Sequence, residues 1–202
     1  MTASARTIYI VNEIFYSLQG EGHWTGRPAI FVRFAHCNLS CPFCDTDFKT
    51  GTHYSEGELI AEVSKFAPCQ FIVFTGGEPT LQLTESLINK LHKGGFYLAM
   101  ETNGTRPYPK GLDWVTVSPK NDFLEGVKLF EGNYMASEVK VVFTGLNSPE
   151  KYGSLGQEKF IQPCDTGNPM KNEEIIAKSI EWLKEHPDWR LSLQTHKIVG
   201  VR

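Results

Sequence analysis

Ala29-Ile-Phe-Val-Arg-Phe-Ala-His-Cys37-Asn-Leu-Ser-Cys41-Pro-Phe-Cys44-Asp-Thr46 joins a strand-like run to a dense cysteine loop. Residues 29–34 are β-branched and aromatic, the composition of a strand. Three thiols follow at C-x3-C-x2-C spacing, and nothing else in the sequence matches that density. A metal centre held by them would sit at the C-terminal end of a strand, where open α/β sheets and barrels place their sites. Arg33 is odd within such a run, because a buried guanidinium needs an anionic partner. A substrate carboxylate supplies it if that face looks into a site; otherwise Arg33 pairs with an acid of the protein.

The same pattern recurs along the chain. Phe71 to Thr75 is a fully apolar strand of the buried parallel type, and it runs into Gly76-Gly77-Glu78-Pro79. Phe96 to Met100 runs into Glu101-Thr-Asn-Gly104, and Trp114 to Val117 into Ser118-Pro119-Lys120. Glu138 to Phe143 and Lys159 to Ile161 complete the set, the last ending in Gln162-Pro-Cys164-Asp165. Helical signals lie between the strands. Ser55 with Glu58 forms a capping box opening a helix to about Ala67. Leu81 to Lys93 has helical apolar spacing, and Asn172 caps a last helix to about His186. Upstream, Asn12 to Gly22 ends in a glycine-rich turn; downstream, Trp189-Arg190 opens a strand-like run to Gln194. The prediction is an α/β fold: a partial, incomplete TIM-like parallel barrel with about six strands and about three helices. Its site lies at the C-terminal ends of the strands. With no linker or repeat, residues 1–202 read as a single domain.

A net charge of −3 leaves no basic footprint for a nucleic-acid backbone. No apolar run is long enough to span a membrane, and Ile8 to Val11 is too short for a signal-peptide core, so a cytoplasmic location is expected. Three of the five cysteines fall within eight residues, which points to metal binding in a reducing compartment rather than a disulfide framework. Cys37, Cys41 and Cys44 cannot close a tetrahedral zinc site unaided. His36, Cys69, Cys164 or a distant histidine would have to add the fourth ligand, and a zinc-stabilised binding module remains the alternative. An iron–sulfur cluster normally takes four thiolates, so three leave one iron open to a small molecule.

The cysteine spacing, with Phe43 before the last thiol, resembles the radical S-adenosylmethionine superfamily, and Gly76-Gly77-Glu78-Pro79 looks like its second motif. More narrowly, Asn12-Glu13-Ile14-Phe15, Gln19-Gly20-Glu21-Gly22, Cys44-Asp45-Thr46, Thr75 to Pro79, Glu101 to Thr105, Val117 to Lys120 and Gln194-Thr195-His196-Lys197 resemble the 7-carboxy-7-deazaguanine synthase family. The resemblance runs from about residue 12 to the end of the sequence. It implies a radical S-adenosylmethionine lyase that contracts the ring of 6-carboxy-5,6,7,8-tetrahydropterin, with loss of ammonia. It also implies a 4Fe–4S cluster, S-adenosylmethionine and Mg2+ as cofactors, an external one-electron donor, and a homodimer. A radical-generating activase of another protein shares the cysteine spacing but should lack the QGEG and QTHK segments.

Carried over residue by residue, the resemblance makes Cys37, Cys41 and Cys44 the cluster ligands. Phe43, Cys44, Asp45 and Gly77, then Ser118, Pro119, Lys120 and Gln162, would lie along S-adenosylmethionine, and Thr46 would bind Mg2+, which takes oxygen ligands. Leu18, Gln19 and Gly20 would contact the pterin, Arg33 its carboxylate, and Thr75, Glu101 and His196 the polar edge of its ring. The carboxylate of Arg202 would reach the same ring. No protein acid or base is assigned. Taken alone, most of these residues have plainer readings: Glu101 as a strand-end carboxylate bonded to a turn N–H, His196 as a surface histidine, Lys120 as turn chemistry. Cys69 and Cys164 read as buried cysteines, and Phe123 to Tyr152 carries no motif.

Overall fold

The computed structural model describes residues 7–44, 48–132 and 135–202. Nine strands among the described residues form one sheet in the order β3-β1-β2-β4-β5-β6-β7-β8-β9. The parallel run begins with β2 (Pro28–Phe34), β4 (Phe71–Gly76), β5 (Tyr97–Thr102) and β6 (Trp114–Val117). It continues through β7 (Ala136–Phe143), β8 (Gly156–Pro163) and β9 (Arg190–Leu191). These include all six strands expected from the sequence. Two antiparallel strands, β1 (Ile8–Leu18) and β3 (Thr52–Ser55), extend the sheet beyond β2. With β3 at one end and β9 at the other, the sheet is an open, partial barrel.

Strand alternation sorts the side chains into two layers. Ile30, Val32, Phe34, Ile72, Phe74, Leu98 and Met100 face outward. They pack with Leu59 and Val63 of α1 (Glu56–Ser64) and with Leu87, Ile88 and Leu91 of α2 (Glu85–Lys93). Phe34 and Phe74 are fully buried, and burial of each such side chain contributes roughly 1.5–3 kcal/mol. Val139, Val141, Phe143 and Ile161 form a second outer cluster under Trp182 and Leu183 of α3 (Pro169–Glu185). Phe31, Val73 and Ala99 face the other way and fill the inside of the barrel with Phe15, Ala29 and Phe71.

Register carries that inner face from apolar to polar along each strand. Phe31 pairs with Val73 and, two residues on, Arg33 with Thr75. Val73 pairs with Ala99, Glu101 with Thr116, and Thr116 with Glu138. The inner stripe is therefore hydrophobic at its base and charged at the C-terminal rim.

Helix boundaries differ from the expectation in three places, the first being that α1 ends at Ser64 rather than at about Ala67. The Ser55–Glu58 capping box is present with both reciprocal hydrogen bonds, at 2.7 and 3.4 Å. However, Pro79–Leu81 is a separate 3-10 turn, and α2 starts only after Thr84, whose hydroxyl accepts from Leu87 N–H. The cap of α3 is Asn168, not Asn172; Pro169 occupies the first turn, where its missing N–H costs nothing. The Asn172 side chain instead accepts from the Thr166 N–H and hydroxyl. A short helix, α4 (Thr195–Val199), follows the last strand.

Candidate active site

The polar rim surrounds a cavity of about 810 Å³, a volume within the usual range for small-molecule sites. Cys37, Cys41 and Cys44 line it from the loop after β2. That loop is held on both sides. Phe34 O accepts from Gly77 N–H and His36 O from Glu78 N–H, at 2.9 and 2.8 Å. A Cβ on Gly77 would stand 1.8 Å from His36 O, so only glycine lets the two loops approach this closely. Across the cleft, Asn38 accepts from Asn103 Nδ2–H at 3.0 Å and donates to Thr105 Oγ1 at 2.8 Å. Asn103 N–H in turn donates to Glu78 at 2.8 Å. The cysteine loop, the Gly76–Pro79 turn and the Glu101–Thr105 segment thus form one hydrogen-bonded unit.

Burial pushes the thiols of Cys37 and Cys41 up from their ordinary value, and the Lys120 cation opposes this at Cys41. Lys120 is itself pushed down, chiefly by burial. Its ammonium donates to Ser118 Oγ at 2.7 Å and stands 5.7 Å from the centre of the Phe43 ring.

The expected substrate residues converge on the same space. Leu18, Gln19, Gly20, Arg33, Thr75, Glu101, His196 and Arg202 all line the cavity, as do Phe43, Gly77, Ser118, Lys120 and Gln162. Pro119 does not; it is buried behind the rim. Asp45 and Thr46 lie outside the described residues. Glu101 accepts from the Thr75 hydroxyl at 3.0 Å and from Gln19 Nε2 at 3.2 Å. Gly20 packs directly under His196, where a Cβ would lie 2.1 Å from Nδ1, and Gly20 O accepts both the N–H and the hydroxyl of Thr195 at 2.9 Å.

Arg33 pairs with an acid of the protein, the second of its two expected readings. It lines the cavity, yet its Nε–H donates to Glu13 Oε1 at 2.7 Å. That bond uses one of the guanidinium's five donors. Glu13 also holds the Arg202 guanidinium, and both cations lie over the Phe15 ring, at 5.5 and 5.0 Å. The backbone oxygen of Arg202 accepts from Ser17 Oγ at 2.5 Å.

Several rim residues had no assigned role at the level of sequence. Lys140 enters from β7, inside the stretch without a motif, and donates to Glu21 at 2.5 Å. Gln194 Nε2 donates to the other Glu21 oxygen at 3.1 Å. Cys164 lines the cavity and is half-buried, and Cys69 is half-buried beneath β4, so neither is the fully buried thiol expected. A lysine set in the apolar run Val139 to Phe143 is the same signal that singled out Arg33.

A model of the radical SAM superfamily matches residues 31–123. The chain is 48% identical over 192 residues to the 7-carboxy-7-deazaguanine synthase of Bacteroides thetaiotaomicron, covering 95% of this chain and 98% of that protein. The chain belongs to the 7-carboxy-7-deazaguanine synthase family. A second relative of that name, from Burkholderia multivorans, is 41% identical over 216 residues and is covered to 99%. The crystal structure of QueE from Escherichia coli superposes with a TM-score of 0.78 at 27% identity, covering 92% of this chain and 93% of that one. The family's cofactors are a 4Fe–4S cluster, S-adenosylmethionine and Mg2+.

The residues present fit the cluster. All three loop thiols line one cavity. Three thiolates on one loop facing one cavity would hold three irons of a 4Fe–4S cluster and leave the fourth open to a small molecule.

Proposed function

We propose that this chain, as one domain over residues 1–202, converts 6-carboxy-5,6,7,8-tetrahydropterin to 7-carboxy-7-deazaguanine with release of ammonia. The observation that carries this reading is the joining of a three-thiol loop and an Arg33–Thr75–Glu101 stripe in one cavity. When bound, the cluster and S-adenosylmethionine supply a carbon radical able to take a hydrogen atom. Cys37, Cys41 and Cys44 would hold the cluster. Phe43, Gly77, Ser118, Lys120 and Gln162 would lie along S-adenosylmethionine, and Asp45 and Thr46 keep the roles implied by the resemblance, the latter toward Mg2+. Arg33, oriented by Glu13, would face the substrate carboxylate. Glu101 would accept from the amino-pyrimidine N–H groups, as an ionised carboxylate only accepts. Holding the pterin against Leu18, Gln19, Gly20, Thr75 and His196 orients C6 and excludes water, which is the protein's share of such chemistry.

The QGEG and QTHK segments, which set this reading apart from an activase, supply Gln19, Gly20, Glu21, Gln194, His196 and Lys197 to the cavity wall. Anaerobic turnover of reduced enzyme with substrate deuterated at C6 is the test. Deuterium is expected in 5′-deoxyadenosine, and its absence there would remove C6 as the site of hydrogen transfer. An external one-electron donor completes the system. Among the described residues no helix is long and apolar enough to cross a membrane, which accords with the cytoplasmic location we propose. We further propose a homodimer, on the resemblance; light scattering of the holoenzyme should give twice the 22.7 kDa chain mass, and a monomer mass would withdraw it.

A further inference from the structure

Lys140 projects from the middle of β7 onto the inner face of the barrel, with Glu138 two residues before it and Val142 two after. Its side chain is 6% exposed, yet it lines the substrate cavity. The ammonium donates to Glu21 Oε2 at 2.5 Å and to Glu101 Oε1 at 3.4 Å. It therefore bridges the glycine-rich turn after β1 and the carboxylate at the end of β5. Glu101 receives Gln19 on the same oxygen and Thr75 on the other, so three groups fix its plane with Lys140 the only cation among these bonds.

The charged surroundings are lopsided. Glu21, Glu101 and Glu138 face Lys140, Lys120 beyond β6 repels it, and His196 of α4 acts on Glu21. The facing β8 residues, Phe160 and Gln162, are uncharged. A buried ammonium is costly and is often matched in stability by an apolar side chain of similar volume. Its presence at the floor of a cavity is thus poorly explained by stability alone.

We propose that Lys140 is a positioning residue for substrate recognition: its ammonium cancels the charge of Glu21 and fixes Glu101, so that a single oriented carboxylate meets the amino-pyrimidine edge of the substrate. This rests on the function proposed above and gives a role to a strand for which the family resemblance assigned none. Glu21 is held down to about 2, burial opposing this and the Lys140 cation being the largest of the contributions that lower it. It is therefore ionised throughout the neutral range. Without the ammonium, burial pushes Glu21 upward with only Gln194 and the nearby His196 to resist. At high pH, Glu21 and Glu101 would then crowd the cavity as two uncompensated carboxylates, against a substrate that is itself an anion. Lowering the pH protonates Glu21 and relieves the repulsion.

The test is the pH dependence of KM for the carboxypterin, measured on reconstituted holoenzyme between about pH 6 and pH 9, a window set well above the ordinary carboxylate value. Wild type and Lys140→Arg should show a flat KM. Lys140→Met should show a KM raised about tenfold or more at the alkaline end, the scale of one lost charge-assisted hydrogen bond, and falling toward wild type as the pH drops. The double variant Lys140→Met with Glu21→Gln, which removes both partners, should be flat and should bind more tightly than Lys140→Met alone at the alkaline end. A flat KM in Lys140→Met, or a double variant no better than the single, overturns the proposal. If Lys140→Met does not accumulate as folded protein, Lys140→Gln is read the same way. Failure of wild type to turn over the carboxypterin would strike the proposed function, whereas turnover by wild type with pH-flat Lys140 variants strikes only this inference.

Discussion

Glu78 is 1% exposed and has no solvent to lean on, but its carboxylate is fully engaged. One oxygen accepts from the Thr80 N–H, the Thr80 hydroxyl and the Thr102 hydroxyl at 3.0, 2.7 and 2.7 Å. The other accepts from Asn103 N–H at 2.8 Å. An acceptor-only group is required here, because every neighbour donates. Glu78→Gln turns one oxygen into a donor that faces another donor, leaving a buried N–H or hydroxyl unpaired at a cost of about 1–3 kcal/mol. Since Asn103 in turn holds Asn38 beside Cys37, iron bound per chain after reconstitution should also fall. Urea unfolding of the metal-free chain and iron analysis check the two effects, and wild-type values in both would refute this account. At this scale the sequence was most legible where residue type alone restricts the chemistry, as at the three cysteines and at Arg33. Glu78 shows the limit: the glycine turn was readable, but two of the four donors around its carboxylate, from Thr102 and Asn103, come from a segment over twenty residues away, joined only by the fold.

Among the parallel strands β4 was the most legible, because its first four residues are buried and read as an unbroken apolar run; β2 and β7 stood out as apolar runs interrupted by Arg33 and Lys140. β1 did not. Its burial alternates irregularly, and Asn12, Glu13 and Ser17 dilute the signal across eleven residues, so only the apolar start and the glycine-rich end stood out. β3 is four residues of mixed exposure, and its strand character comes from pairing with Ile8 to Val11. The caps divide in the same way. Ser55 and Glu58 share a local motif that suffices by itself, whereas two asparagines compete at α3, and Asn172 is taken by Thr166. Lys140 lay within a strand that was readable, but register sets Glu138 level with Glu101 across β6 and so places Lys140 one inward-facing position beyond it, and register is a property of the sheet. The layout of the site was therefore visible from strand ends, while its second tier of charges was hidden.

Across the whole molecule, that second tier couples the cavity to folding stability. Glu21 has a folded value of about 2 against 4.5 for the ordinary side chain. A depressed carboxyl contributes stability that is present above its unfolded value and lost as the pH falls through the folded one. The window is therefore between about pH 4.5 and pH 2, and the shift corresponds to roughly 3 kcal/mol. Asp122 and Glu56 are also depressed and add to the same acid limb. Glu138 is raised by burial, so its contribution has the opposite sign, being present at low pH and lost as the pH rises. Glu21 is isolated by difference. Glu21→Gln should destabilise the metal-free chain most near neutrality, and the gap from wild type should shrink as the pH falls toward 2, where the wild-type carboxyl also becomes neutral. Urea midpoints of the two proteins across that range provide the comparison. A gap that stays constant from pH 7 to pH 3 would mean that the Glu21 charge contributes nothing to stability, and that the ammonium at Lys140 is compensated by Glu101 and Glu138 instead.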